Sequence, residues 1–185
     1  MGNLFKHLLI IAIPTAAYAG GVTQTNDGSG AYLNFNAGVA TQQFLPSGGL
    51  ALNVNAGYNF NRGFALEGGY TSLTSSQYNS NLSNNIFDVA VKGTLPFSQV
   101  FSLYGRLGAG LNYATWGGTA NNAPAWYCDQ AYSANFNVLA GVGASFALSQ
   151  HFDLRLEDTM LIPVGSANQT SGNINLVLGG FQYNF

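Results

Sequence analysis

Apolar side chains recur at every second position along eight segments of this chain, near residues 31–41, 49–60, 64–73, 86–96, 101–113, 134–148, 152–163 and 174–185. Successive side chains of a strand point to opposite faces, so a period of two predicts β-strands with one apolar and one polar or small face. In the second segment Leu50, Leu52, Val54, Ala56, Tyr58 and Phe60 alternate with Ala51, Asn53, Asn55, Gly57 and Asn59. In the fourth, Phe87, Val89, Val91 and Leu95 alternate with Asp88, Ala90, Lys92 and Thr94. Leu103, Leu107, Leu111 and Tyr113 stand opposite Tyr104, Arg106, Gly108 and Asn112 in the fifth. The sixth carries an apolar row of Phe136, Val138, Ala140, Val142, Ala144, Phe146 and Leu148. A half-buried strand of a soluble sandwich has the same period, so alternation alone leaves open what the apolar face meets.

Charge and the two chain ends narrow that choice. Only 6% of the residues are charged, against roughly 25% in an ordinary soluble domain. After the N-terminal stretch, no segment holds the roughly 20 apolar residues of a membrane-spanning helix. The C-terminal segment ends Phe181-Gln182-Tyr183-Asn184-Phe185, three aromatics on one face of a closing strand. A frayed soluble terminus would expose them, whereas a strand at a lipid–water interface uses them as a girdle. At the other end, Lys6 and His7 precede an apolar run from Leu8 to Ile13 and an Ala17-Tyr18-Ala19 site. That pattern predicts a secretory signal peptide at 1–19, removed after Ala19. Residues 20–30 follow as a short periplasmic segment, and 31–185 as one domain. The net charge of −2 gives no ground for nucleic-acid binding. The single cysteine, Cys128, excludes an internal disulfide.

Three short turns resemble one another: Phe60-Asn61-Arg62-Gly63-Phe64-Ala65-Leu66, Phe97-Ser98-Gln99-Val100-Phe101-Ser102-Leu103 and Leu148-Ser149-Gln150-His151-Phe152-Asp153-Leu154. The other connections, near 42–48, 74–85, 114–133 and 164–173, are mostly longer and rich in Ser, Asn, Gly and Thr. Tight turns at one end and long polar loops at the other predict an all-β, eight-stranded antiparallel up-and-down transmembrane β-barrel, with both termini periplasmic. The chain resembles the small eight-stranded OmpA-like outer-membrane barrels over residues 31–185. The resemblance is carried by Phe64-Ala65-Leu66-Glu67-Gly68-Gly69-Tyr70, Leu103-Tyr104-Gly105-Arg106-Leu107-Gly108, Leu154-Arg155-Leu156-Glu157 and the closing Phe181-Gln182-Tyr183-Asn184-Phe185. It implies the outer membrane of a Gram-negative bacterium, a lipid surround, and recognition of Phe181, Tyr183 and Phe185 by barrel-assembly machinery. Larger members carry a periplasmic peptidoglycan-binding domain after the barrel; that role is not carried over to a chain whose last residue closes the barrel. No cofactor is implied, and a monomer is expected.

The strand register points Glu67, Asp88, Lys92, Arg106, Arg155 and Glu157 into the lumen, three acids and three bases. An eight-stranded barrel is narrow enough for side chains to fill it, and buried charges there call for balanced pairing. The structural reading is an ion-paired plug; the functional one is an ion path lined by the same residues. Asp158 breaks the pattern, because continued alternation from Leu154 and Leu156 turns it toward lipid. A β-bulge near Glu157, turning Asp158 inward and Leu161 outward, is expected instead.

Catalytic signals are weak. His7 leaves with the signal and His151 falls in a periplasmic turn, so no histidine remains for a site at the outer rim, and metal ligation lacks His and Cys. An enzyme is not expected. Trp116, Trp126, Tyr127 and Tyr132 surround the longest loop, with Cys128 inside it; they either pack on the barrel rim or form a surface for an extracellular or host partner. Two main functions remain. One is a structural or surface-interaction protein of adhesion type, displaying loops from a filled barrel. The other is a narrow pore for small solutes, for which the inward Gly108, Gly110, Gly141 and Gly143 would leave room. A soluble ligand-binding barrel is a third, disfavoured by outward aromatics at both rims.

Overall fold

The computed structural model describes residues 28–43, 45–77, 80–117, 132–164 and 172–185; side chains at 45–47, 75–82 and 115–133 are not described. The predicted signal peptide at 1–19 and Trp126, Tyr127 and Cys128 fall outside the described residues, as do the side chains of Trp116 and Tyr132. Eight strands follow in chain order: β1 (Gly30–Gln42), β2 (Leu45–Asn61), β3 (Phe64–Gln77), β4 (Ser80–Pro96), β5 (Phe101–Gly117), β6 (Tyr132–Ala147), β7 (Phe152–Pro163) and β8 (Ile174–Asn184). Each pairs antiparallel with its sequence neighbour, and β8 returns to β1, so the sheet is a closed barrel. Closure leaves no sheet edge, the condition for strands to cross a bilayer with every backbone group paired.

The stagger follows from the register. From Asn34 the partners run through Asn55, Gly69, Asp88, Gly110 and Asn137 to Pro163 on β7. In the opposite direction Asn34 meets Gln182, which meets Asp153, ten residues from Pro163 on the same strand. A shear of ten on eight strands gives a tilted, narrow barrel whose interior side chains can fill.

Alternation decides what lies inside. Phe35, Leu52, Val54, Leu66, Phe87, Val89, Leu107, Val142, Val177 and Phe181 all project outward and are exposed. The inward rows carry the buried asparagines, the charged residues and an apolar cluster that includes Leu73, Ile86, Leu139, Leu161, Ile174, Leu176 and Leu178. The interior is therefore layered along the barrel axis. The apolar cluster lies toward the strand ends away from the turns at 62–63, 97–100 and 148–151, and the charges lie between it and those turns.

Two expectations are corrected. The connections at 42–48 and 74–85 are mostly strand: β1 and β2 are separated by residues 43–44, and β3 and β4 by 78–79. Ser75, Ser76 and Gln77 pair with Leu82, Asn81 and Ser80. Ladder bonds need no apolar side chain, so pairing runs on beyond the point where the apolar row stops. The bulge near Glu157 is absent, too. β7 pairs with β6 and β8 without a register shift, Asp158 stands between Val142 and Val177 on the outer face, and Leu161 is buried inside. Two intact ladders hold β7 in phase, and a bulge would break both to relieve one side chain.

Candidate functional site: the charged lumen

Glu67 on β3, Asp88 and Lys92 on β4, Arg106 on β5, and Arg155 and Glu157 on β7 are all buried within the barrel. Four strands thus bring together six charges separated by up to ninety positions in the chain. Glu67 is the hub: Nζ of Lys92 lies 3.2 Å and Nη1 of Arg155 3.1 Å from its Oε1. Nε of Arg106 lies 2.7 Å from its Oε2, a charge contact whose N–H is not aligned as a hydrogen bond. Arg106 also donates through Nη2 to Asp88 at 3.2 Å and through Nη1 to Glu157. Arg155 donates through Nη2 to Glu157 at 3.0 Å and through Nη1 to the side-chain oxygen of Gln182 at 3.0 Å. Three acids and three bases balance, which is what burial of full charges demands.

Neutral side chains complete the cage. The Tyr32 hydroxyl donates to Glu67 at 2.7 Å, the Tyr104 hydroxyl to Glu157 at 2.9 Å, and the Thr159 hydroxyl to Glu157 at 2.7 Å. Nε of Arg155 donates back to the Tyr104 oxygen at 3.0 Å, and its guanidinium lies 4.4 Å from the Tyr104 ring centre. Nζ of Lys92 sits 4.1 Å from the Tyr32 ring centre, so its charge meets a π face as well as Glu67. Tyr32, Tyr104 and Thr159 carry no charge and stood outside the sequence-level site. Their inward register, shared with Asn34, Arg106 and Glu157, is the signal that would have found them.

The inward glycines have a different role from the one expected. A Cβ at Gly143 would collide with the Tyr104 ring, and one at Gly57 with the Tyr32 ring. A Cβ at Gly141 would meet the Thr159 hydroxyl at 2.6 Å, one at Gly108 the β4 backbone, and one at Gly110 the Phe87 carbonyl at 3.0 Å. These glycines do not leave open space; they are hollows into which rings, hydroxyls and the neighbouring strand fit. Between the charged cage and the apolar cluster remains a void of about 10 Å³, too small for a chain of waters. Toward the tight turns the lumen widens into a polar vestibule of about 670 Å³, with Arg62, Ser98, Ser102 and Asp153 on its wall and Lys92 and Arg155 among its lining residues.

The closing strand is outward at Phe181, Tyr183 and Phe185. Tyr183 meets Phe152 and Phe185, each at 5.1 Å between ring centres, and His151 at 5.9 Å. Phe101 and Phe146 add a further pair at 4.9 Å beside the tight turns. These aromatics form one rim of the outward apolar belt.

The sequence profile of the outer membrane protein beta-barrel domain matches residues 7–185. No individually curated protein matches the chain. Among solved structures, Neisserial surface protein A superposes with a TM-score of 0.66 at 15% identity, over 85% of this chain and 97% of its own. Ail, the attachment invasion locus protein of Yersinia pestis, solved with the heparin analogue sucrose octasulfate, gives 0.55 at 15% identity over 85% and 97%. The outer membrane enzyme PagL gives 0.54 at 13% identity over 83% and 99%. At these identities the likeness is one of fold.

Proposed function

The chain belongs to the outer membrane protein beta-barrel family, and from that premise we propose that it is a non-conducting barrel that acts through what it presents at the cell surface, as a structural or adhesion-type protein. The observation that carries this reading is the occupied cross-section at the level of Glu67, Arg106, Arg155 and Glu157, where every inward glycine hollow is taken by a neighbour. An ion crossing there would have to separate buried pairs, each of which is strongly unfavourable to break. The pairing also makes the wall rigid, which suits a scaffold for loops. The structure of Ail with a heparin analogue lends the surface-interaction reading a precedent within the same fold.

The proposed role is also non-catalytic. His151, the one histidine among the described residues, lies in the turn between β6 and β7, stacked on Tyr183 and away from the lumen. PagL shares the fold, so the fold alone decides nothing about catalysis. The test is conductance of the purified barrel in a planar bilayer, paired with adhesion of cells displaying it with and without residues 118–131. The expected result is no channel steps and adhesion that falls when the loop is shortened. Stable unit conductance in the intact protein would replace this reading with the narrow pore.

A further inference from the structure

Asp158 is the only charged side chain on the outward rows of the strands among the described residues. It lies six residues from Phe152 at one end of β7 and five from Pro163 at the other. That places it near the middle of an apolar band about 25 Å tall. Its cross-strand neighbours are Val142 and Val177, and its neighbours along β7 are Leu156 and Met160, none of which can hydrogen-bond it. An ionisable group at that depth is unfavourable unless something polar meets it. The surface around it is low: Ala140 and Ala144 flank Val142 on β6, Gly179 lies diagonal on β8, and Gly105 pairs with Val142 from β5. On the same face, Asn175 of β8 holds a buried side-chain oxygen with no partner.

We propose that this face, centred on Asp158, is the interface with a second copy of the chain in the membrane. Two copies inserted with the same polarity are related by a two-fold axis along the membrane normal. Each residue then meets partner residues at its own depth, and a residue beside the axis meets its own counterpart. No basic side chain faces outward on the described strands, so beside the axis the polar group that meets Asp158 at its own depth is Asp158 of the second copy. Two carboxyl groups sharing a proton are joined by a hydrogen bond. The small residues let the two walls approach closely enough for that bond, the combination of small surfaces and polar contacts that drives association where lipid removes the hydrophobic driving force. The sequence alone led to the expectation of a monomer; the outward Asp158 is the ground for proposing a dimer instead.

The test labels the single cysteine, Cys128, with donor or acceptor fluorophores and measures energy transfer in phosphatidylethanolamine–phosphatidylglycerol vesicles as the protein-to-lipid ratio is lowered. Heat-modifiable gel mobility verifies that each variant is folded. The wild type is expected to show transfer that disappears on dilution. Asp158→Asn, which keeps a donor and an acceptor, should retain it. Asp158→Val should weaken association about tenfold, the size of one polar contact in a membrane. Gly179→Leu, which leaves the carboxyl in place and fills the hollow beside it, should also weaken it. Transfer no greater than random encounter in the wild type, or equal association of the wild type and Asp158→Val, overturns the proposal.

Discussion

Glu157 and Asp158 are adjacent carboxylates on one strand, and they live in opposite worlds. Glu157 points into the barrel and is held by Arg106, Arg155, Tyr104 and Thr159. Asp158 points out between two valines. The same chemical group is a structural keystone on one wall of β7 and, on the other, a carboxyl with no hydrogen-bonding neighbour in its own barrel. Position on a pleated strand, more than residue type, decides what a carboxylate does here.

The comparison is broken most directly by making the same change at both positions. Glu157→Val leaves Arg106 and Arg155 each short of a partner, and the barrel should lose about 3–5 kcal/mol, as when one member of a buried ion pair is removed. Asp158→Val puts an apolar side chain into lipid, and monomer stability should stay within about 0.5 kcal/mol of the wild type or rise. Urea unfolding in dilute micelles, followed by tryptophan fluorescence, measures both. Equal losses at the two sites would mean that the inner cage carries no special weight.

A smaller effect probes how tightly the cage is packed. Gly143→Leu forces the Tyr104 ring off its hollow and away from Glu157 and Arg155, and overpacking of this kind should lose about 1–3 kcal/mol. The same substitution at outward Gly105, where the nearest atom to a new Cβ is 3.8 Å away, should be nearly neutral by the same measurement. The smallest effect concerns the two ends of the barrel. Protease added to intact cells should cut within 118–131 and spare the turn at 62–63, and it should cut poorly at 80–85, where the backbone is paired in the β3–β4 ladder. Cleavage at 62–63 in intact cells would reverse the orientation.

Much of this was legible in the sequence because the strand period is short and local. Alternation alone put Glu67, Asp88, Lys92, Arg106, Arg155 and Glu157 on the inward rows, and the repeated Phe-flanked turns marked one end of the barrel. The partners were not legible. Arg106 reaches Glu67 on β3, Asp88 on β4 and Glu157 on β7, a convergence set by the shear and by closure of β8 onto β1. The inward apolar layer of Leu73, Ile86, Leu139, Leu161, Ile174, Leu176 and Leu178 was hidden for a related reason. Where both faces are apolar, as along Leu176-Val177-Leu178, alternation loses its contrast.

The three misjudged features, the paired connections at 42–48 and 74–85, the bulge and the glycine hollows, share a cause. Each was judged from one strand, while its outcome depended on the neighbours. The sequence by itself determined the strands, their two faces, the tight turns and the outward aromatics, because those follow from side-chain direction along a single pleated segment. Only the tertiary structure decided which charges meet, that the inward glycines are filled, and that Asp158 remains outside. Those depend on how eight strands are staggered around a closed ring, and stagger is a property of the sheet as a whole.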